Sequence, residues 1–174
     1  MFDAIEKRHA RLDVLVNNAG RSYEGLFALT PAEKFVEVVQ ANLMGTLLCS
    51  QLALRLRLRQ RKGTIINISS TATRGPVGLS AYAAGKAAVN SLTASLAREV
   101  AGKGIRVNAV APSWTETDML VKSNQGVLAE AARRIPPGRF ARAEEVASAV
   151  SALARDDMSY VVGQVLQLDG GGAR

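Results

Sequence analysis

Thr64-Ile65-Ile66-Asn67-Ile68 is a short, isoleucine-rich run closed by Ser69-Ser70 and followed by a loop holding Gly75, Pro76 and Gly78. A run of this length and composition, bounded by turn residues, reads as a buried strand. Beyond the loop, Ala81 to Ala101 is a long helical stretch with small residues along one side, and Gly102-Lys103-Gly104 breaks it. Ile105-Arg106-Val107-Asn108-Ala109-Val110 then repeats the strand pattern. Strand, long helix and second strand make a crossover unit, and such units build parallel sheets covered by helices on both faces.

The same alternation extends outward in both directions. Leu12 to Asn17 reads as a buried strand ended by Asn17-Asn18-Ala19-Gly20. Thr30-Pro31-Ala32-Glu33 predicts a helix start, with Thr30 as N-cap, Pro31 in the first turn and Glu33 reaching back. A second helix is expected from about Asn42 to Arg61, stopping at Gly63. Downstream come a polar stretch from Ser113 to Pro137, an amphipathic helix from Glu144 to Arg155, and a last strand, Gln164 to Leu168, before Asp169-Gly170-Gly171-Gly172. The fold class is α/β. Open parallel sheets carry their ligands at the carboxyl ends of the strands. Asn18-Ala19-Gly20, Ser70 and Pro112 all fall at such ends.

Composition narrows the function. The 174 residues are 48% hydrophobic and 21% charged, enough apolar side chain for the core of one domain and too much for disorder. No run approaches the roughly 20 apolar residues of a membrane span, and Met1 to Arg8 carries charges where a signal peptide has its apolar region. One cysteine, Cys49, rules out an internal disulfide; with one histidine, His9, no metal site is expected, and neither residue carries a case for function. A cytoplasmic, metal-free domain is the expectation.

The formal charge is +7, with an isoelectric point near 10.1. The densest basic stretch, Arg55 to Lys62, spreads its charges around the last turns of a helix, where cations suit the helix dipole, and no aromatic residues interleave to stack bases. It therefore reads as a solvated helix end, and nucleic-acid binding is not expected.

Tyr82-Ala83-Ala84-Gly85-Lys86 sets a phenol and an ammonium one helical turn apart on one face. A nearby fixed ammonium favours the phenolate, bringing a group of reference pKa about 10 toward the working range. Ser69-Ser70, at the end of the preceding strand, offers a hydroxyl that can share a carbonyl oxygen with that phenol; its other reading is a turn or helix cap. Asn42 is a polar residue inside an otherwise apolar helical pattern, either exposed or placed to bind an ordered water.

Asn17-Asn18-Ala19-Gly20, Asn42, Asn67-Ile68-Ser69-Ser70, Tyr82 with Lys86, Arg106-Val107-Asn108 and Asp169-Gly170-Gly171 together resemble the short-chain dehydrogenase/reductase family, in its order and close to its spacing. Pro112 to Met119 resembles the group of that family containing 3-oxoacyl-[acyl-carrier-protein] reductases and many sugar or steroid dehydrogenases. The resemblance implies hydride transfer between NAD or NADP and a small-molecule carbonyl or alcohol. It implies Tyr82 as acid–base, Ser70 orienting the carbonyl, Lys86 holding ribose hydroxyls, and Asn42 placing a relay water. It also implies cofactor contacts from Asn17, Ala19 and Gly20, and from Pro112, Ser113, Thr115 and Thr117 around the nicotinamide carboxamide. Residues 119–137 become a mobile flap over the substrate, with Trp114 just upstream either walling an apolar substrate or packing the loop. Homo-oligomers, dimers or tetramers, are implied through the helices of Thr30–Arg61 and Ala81–Ala101.

Three departures from the family pattern stand out. The Ser70–Tyr82 loop is one residue short, so spacing counted back from Tyr82 selects Ser69 while the end-of-strand motif selects Ser70; the motif is preferred. Ser113 stands where the family usually has glycine. The glycine-rich turn that receives a pyrophosphate after the first strand has no counterpart. Residues 1–174 therefore read as the C-terminal part of a Rossmann-type domain lacking its first three strands, N-terminally truncated by about 60 to 80 residues. In the order 3-2-1-4-5-6 the strand at Val14 to Asn17 would then be a naked edge. The alternative to an enzyme is a catalytically impaired fragment or non-catalytic subunit that keeps its helical faces for assembly.

Overall fold

Ile65 and Ile66 are neighbours in sequence, both fully buried, and belong to two different cores. Successive side chains of a strand leave on opposite faces, so this pair marks a sheet covered on both sides. The computed structural model describes residues 1–117 and 125–172. In chain order the elements are α1 (Phe2–His9), β1 (Val14–Asn17), α2 (Ala32–Gln60), β2 (Gly63–Ile68), α3 (Ser80–Val100) and β3 (Ile105–Pro112). They continue with β4 (Thr115–Glu116), α4 (Gln125–Arg133), β5 (Ala141–Arg142), α5 (Ala143–Ala154) and β6 (Val165–Leu168).

Four strands form one parallel sheet in the order β1-β2-β3-β6, and β4 pairs with β5 in a small second sheet. On one face Ile65, Ile105 and Val107 pack against Ala97 and Val100 of α3, with Leu54 of α2 alongside. On the other, Ile66 and Val110 pack against Leu153, Val146 and Val150 of α5. Within the described residues β1 pairs only with β2, and Val14 and Val16 are each 41% exposed. No described helix is long and apolar enough to cross a membrane.

The structure corrects four expectations. The two helices expected over Thr30–Arg61 are one continuous helix, α2, of 29 residues. It runs unbroken through Asn42, whose Nδ2 donates to the carbonyl of Val38 one turn back, at 2.8 Å. Thr30 is not its N-cap: that position is Pro31, and Thr30 Oγ1 donates to Leu26 O at 2.9 Å, closing the preceding turn.

The basic end of α2 is not wholly solvated either. Arg57 continues the inward stripe of Asn42, Thr46, Ser50 and Ala53 and is fully buried. Its Nε, Nη1 and Nη2 have no hydrogen-bond partner, and burial lowers its pKa to about 10. Finally, the polar stretch after Ser113 contains β4 and α4. Leu128 of α4, with Ala131 and Ala132, packs on Ile135 and Phe140. Asp118 and Met119, and the start of the expected flap, lie outside the described residues.

Candidate active site

β2 and β3 run side by side and end together at Ser70 and Pro112, where an open cleft of about 1570 Å³ lies along the carboxyl ends of the sheet. Ser70, Tyr82, Lys86, Pro112, Ser113 and Thr115 all line it. Each is brought there by an element argued from sequence: Ser70 by β2, Tyr82 and Lys86 by the first turns of α3, and the rest by the end of β3.

The buried stripe of α3 runs through Lys86, Val89, Thr93, Ala97 and Val100, the spacing of one helix face. Its lower part grips the core; its first turn, with Tyr82 and Lys86, emerges into the cleft. The Ser70 side chain stands near the Tyr82 phenol, close enough to favour its ionised form, and both line the cleft. Ser70 also accepts from Ala72 N at 3.1 Å, starting a short helical turn over Thr71–Arg74. Both readings of this serine hold at once: it caps a turn and it faces the phenol. Ser69 is buried, its Oγ 3.4 Å from Lys86 O, so it is Ser70 that stands beside Tyr82.

Lys86 is 4% exposed and donates from Nζ to Ile68 O at 2.7 Å. Burial lowers its pKa to about 8. Its ammonium sits 5.7 Å from the centroid of the Tyr82 ring. The expectation that it depresses the phenol's pKa is corrected here. Burial raises the Tyr82 pKa from its ordinary value, and the neighbouring Ser70 hydroxyl opposes that rise only in part. Lys86 Nζ is tied to the strand carbonyl and lies over the Tyr82 ring, and burial is the larger influence on the phenol.

Asn42 is fully buried, not exposed. Its Nδ2 donates to Arg21 O at 2.7 Å and to Val38 O, while Oδ1 has no partner. That acceptor faces Gly20: a Cβ on Gly20 would lie 2.5 Å from Asn42 Oδ1 and 3.3 Å from Lys86 Nζ. α3 approaches from the other side through Gly85, where a Cβ would meet Asn42 Cβ at 3.2 Å. Two glycines thus allow Asn42, Lys86 and the β1 loop to converge.

Asn17 points elsewhere. Its Nδ2 donates to Ser50 Oγ at 3.0 Å and Asn67 Oδ1 at 2.8 Å, and Asn67 Nδ2 donates to Thr93 Oγ1 at 2.8 Å. These buried groups tie β1 and β2 to α2 and α3, a polar bolt behind the cleft. Neither Asn17 nor Ala19 lines the cleft; Asn18 and Gly20 do. Ser113 N donates to Leu168 O at 3.0 Å, and Thr115 Oγ1 donates back to Ser113 O at 3.0 Å, which fixes the loop after β3. Thr117 lines the same wall.

Sequence reasoning left two features unassigned. Trp114 also lines the cleft, stacked on Phe140 with ring centroids 5.6 Å apart. The Asn17–Asn67–Thr93 bolt was legible only as polar residues at strand and helix positions that ought to be apolar.

Residues 1–172 match a family model described as enoyl-(acyl carrier protein) reductase. The chain is 42% identical over 172 residues to the 3-oxoacyl-[acyl-carrier-protein] reductase FabG of Thermotoga maritima, covering 98% of this chain and 70% of the relative. The protein of the same name from Escherichia coli (strain K12) is 37% identical with the same coverage. A 3alpha-hydroxysteroid dehydrogenase of Mediterraneibacter gnavus is 40% identical, over 98% of this chain and 68% of the relative.

Proposed function

Because the chain belongs to the short-chain dehydrogenase/reductase family, an NAD(P)-dependent class of oxidoreductases, we propose that Tyr82 is its acid–base group and Ser70 the group that orients the substrate carbonyl. The observation that carries this reading is the meeting of Tyr82 and Ser70 in the lining of one cleft, with Lys86 buried one turn away.

The cleft suits the nicotinamide half of the cofactor. Gly20 leaves room beside Lys86, whose ammonium can meet two ribose hydroxyls, and Asn42 Oδ1 is a buried acceptor awaiting a donor such as an ordered water. Pro112, Ser113, Thr115 and Thr117 line the same cleft and would hold the carboxamide. When bound, the cofactor supplies or accepts a hydride at the carbonyl carbon.

The protein's own share is the proton. Burial raises the Tyr82 pKa and so favours the protonated phenol, which donates to the carbonyl oxygen as that oxygen gains charge. Ser70 holds the same oxygen in line. Lys86, with a pKa near 8, exchanges protons readily and can resupply the phenol from water at Asn42. The product is an alcohol; the reverse steps oxidise it.

We read the substrate as a small-molecule ketone or secondary alcohol. The chain also presents Met44, Leu48 and Leu52, spaced one turn apart and 38–50% exposed on α2, a stripe suited to pairing copies of the chain.

The test is turnover of ketones with NADH and NADPH. Tyr82→Phe should lower kcat by roughly 100-fold or more with little change in KM, and Ser70→Ala should follow in the same direction. Turnover undiminished in Tyr82→Phe would overturn the assignment.

A further inference from the structure

The proposed acid–base group leaves open what kind of carbonyl compound the cleft accepts, and Trp114 bears on that. It is the only tryptophan in the chain. It follows Ser113 directly, so it stands two residues from Pro112, whose carbonyl oxygen lies 3.5 Å from Ser70 Oγ. One face of the indole is taken: it stacks on Phe140, which is 8% exposed and anchored in the cluster of Leu128 and Ile135. The backbone is held as well, since Ala141 N donates to Trp114 O at 3.0 Å and β4 pairs with β5. Yet the residue remains 48% exposed and lines the cleft.

A large apolar ring left half in water, but fixed from behind, costs solvation free energy that a ligand can recover without ordering a side chain. The charged part of the lining points the same way. Each arginine lining the cleft among the described residues already has an acceptor: Arg21 has Glu37, Arg74 has Gln167 and Arg134 has Glu130. Arg21 and Arg134 are thereby paired with carboxylates, while Arg74 bonds a neutral amide and keeps its charge. Leu79, Pro76, Ala131 and Ile135 add apolar surface to the same lining.

Resting on the reading of Tyr82 and Ser70 given above, we propose that Trp114 is a specificity-determining wall that packs against the apolar body of the substrate. The cleft thereby selects ketones carrying a ring or alkyl body over small polyhydroxylated ones. Phe140 acts through Trp114, as its positioning residue.

Because the chain has one tryptophan, the subsite reports on itself. Titration of the cofactor-free chain with trans-1-decalone should shift and saturate tryptophan emission, while dihydroxyacetone at equal concentration should not. In turnover with NAD(P)H, Trp114→Ala should lower the ratio of kcat/KM for decalone over dihydroxyacetone by roughly tenfold, mostly through KM. Trp114→Phe should restore most of that ratio. An emission spectrum that decalone leaves unchanged, or a Trp114→Ala variant whose two substrates lose equally, overturns the wall. Emission that responds while Tyr82→Phe turns over normally sinks the catalytic reading and leaves the subsite standing.

Discussion

Gly20 and Asn42 meet where neither could tolerate another atom: a Cβ on Gly20 would lie 2.5 Å from Asn42 Oδ1, well inside van der Waals contact. The glycine is needed here for space. Gly20→Ala should therefore displace Asn42 or the loop after β1, costing about 1–3 kcal/mol of stability, as overpacking does. It should also weaken cofactor binding, since Lys86 Nζ lies on the same side. Urea unfolding and NAD(P)H fluorescence titration check the two effects; a variant with unchanged midpoint and affinity would show that the loop simply moves aside.

Lys86 links the site to pH. Its folded pKa of about 8 lies below the ordinary 10.5, so the unfolded chain binds the proton more tightly. Stability should then rise as pH increases from about 8 toward 10.5, and the buried ammonium is a net burden at neutral pH. Lys86→Met should remove that rise and stabilise the fold at pH 7 by up to about 3 kcal/mol, less the value of the bond to Ile68 O. Urea midpoints at pH 7, 9 and 10 decide it. A pH slope that persists in Lys86→Met would have to come from another group.

Arg57 is the sharpest conflict between local pattern and fold. A guanidinium fully buried against Gly63, with Asp13 as the carboxylate whose field reaches it, carries desolvation that its surroundings do not repay. Arg57→Met keeps the length and removes the charge, and should raise the unfolding free energy by about 1–4 kcal/mol at pH 7 without changing turnover. Differential scanning calorimetry beside a kinetic assay is sufficient. A lower melting temperature would mean that the charge is compensated in solution.

The Asn17–Asn67–Thr93 bolt predicts the opposite sign. Asn67→Ala removes the acceptor of Asn17 and the donor to Thr93 inside a sealed core. The loss should be roughly 2–4 kcal/mol, because buried groups left unpaired cost more than the bond itself was worth. Thr93→Val, which keeps shape and still leaves Asn67 its bond to Asn17, should cost less. Equal losses in the two variants would argue against a connected network.

Period and chemistry were legible along the chain; long-range neighbours were not. The strands at Thr64–Ile68 and Ile105–Val110 and the helix from Ala81 announce themselves because strand and helix periodicities are local, and the set Ser70, Tyr82 and Lys86 follows from one turn of helix and one strand end. Leu128, Ala131, Ala132 and Ile135 carry the same helical spacing, yet the polar residues around them hid α4. What faces a buried acceptor is not a local property. The contact of Gly20 with Asn42 and the tie of Asn17 to Asn67 join residues 22 and 50 positions apart, and the burial of Arg57 hides one member of an alternating arginine run.

The amino-acid sequence alone thus determined the crossover architecture and brought forward the groups proposed to react, because hydrophobic period and functional-group chemistry belong to each segment by itself. Tertiary packing decided which serine meets the phenol, the direction of each pKa shift and which face of Trp114 is free. Those depend on distance and desolvation, and both come into being only when separate segments exclude water from one another.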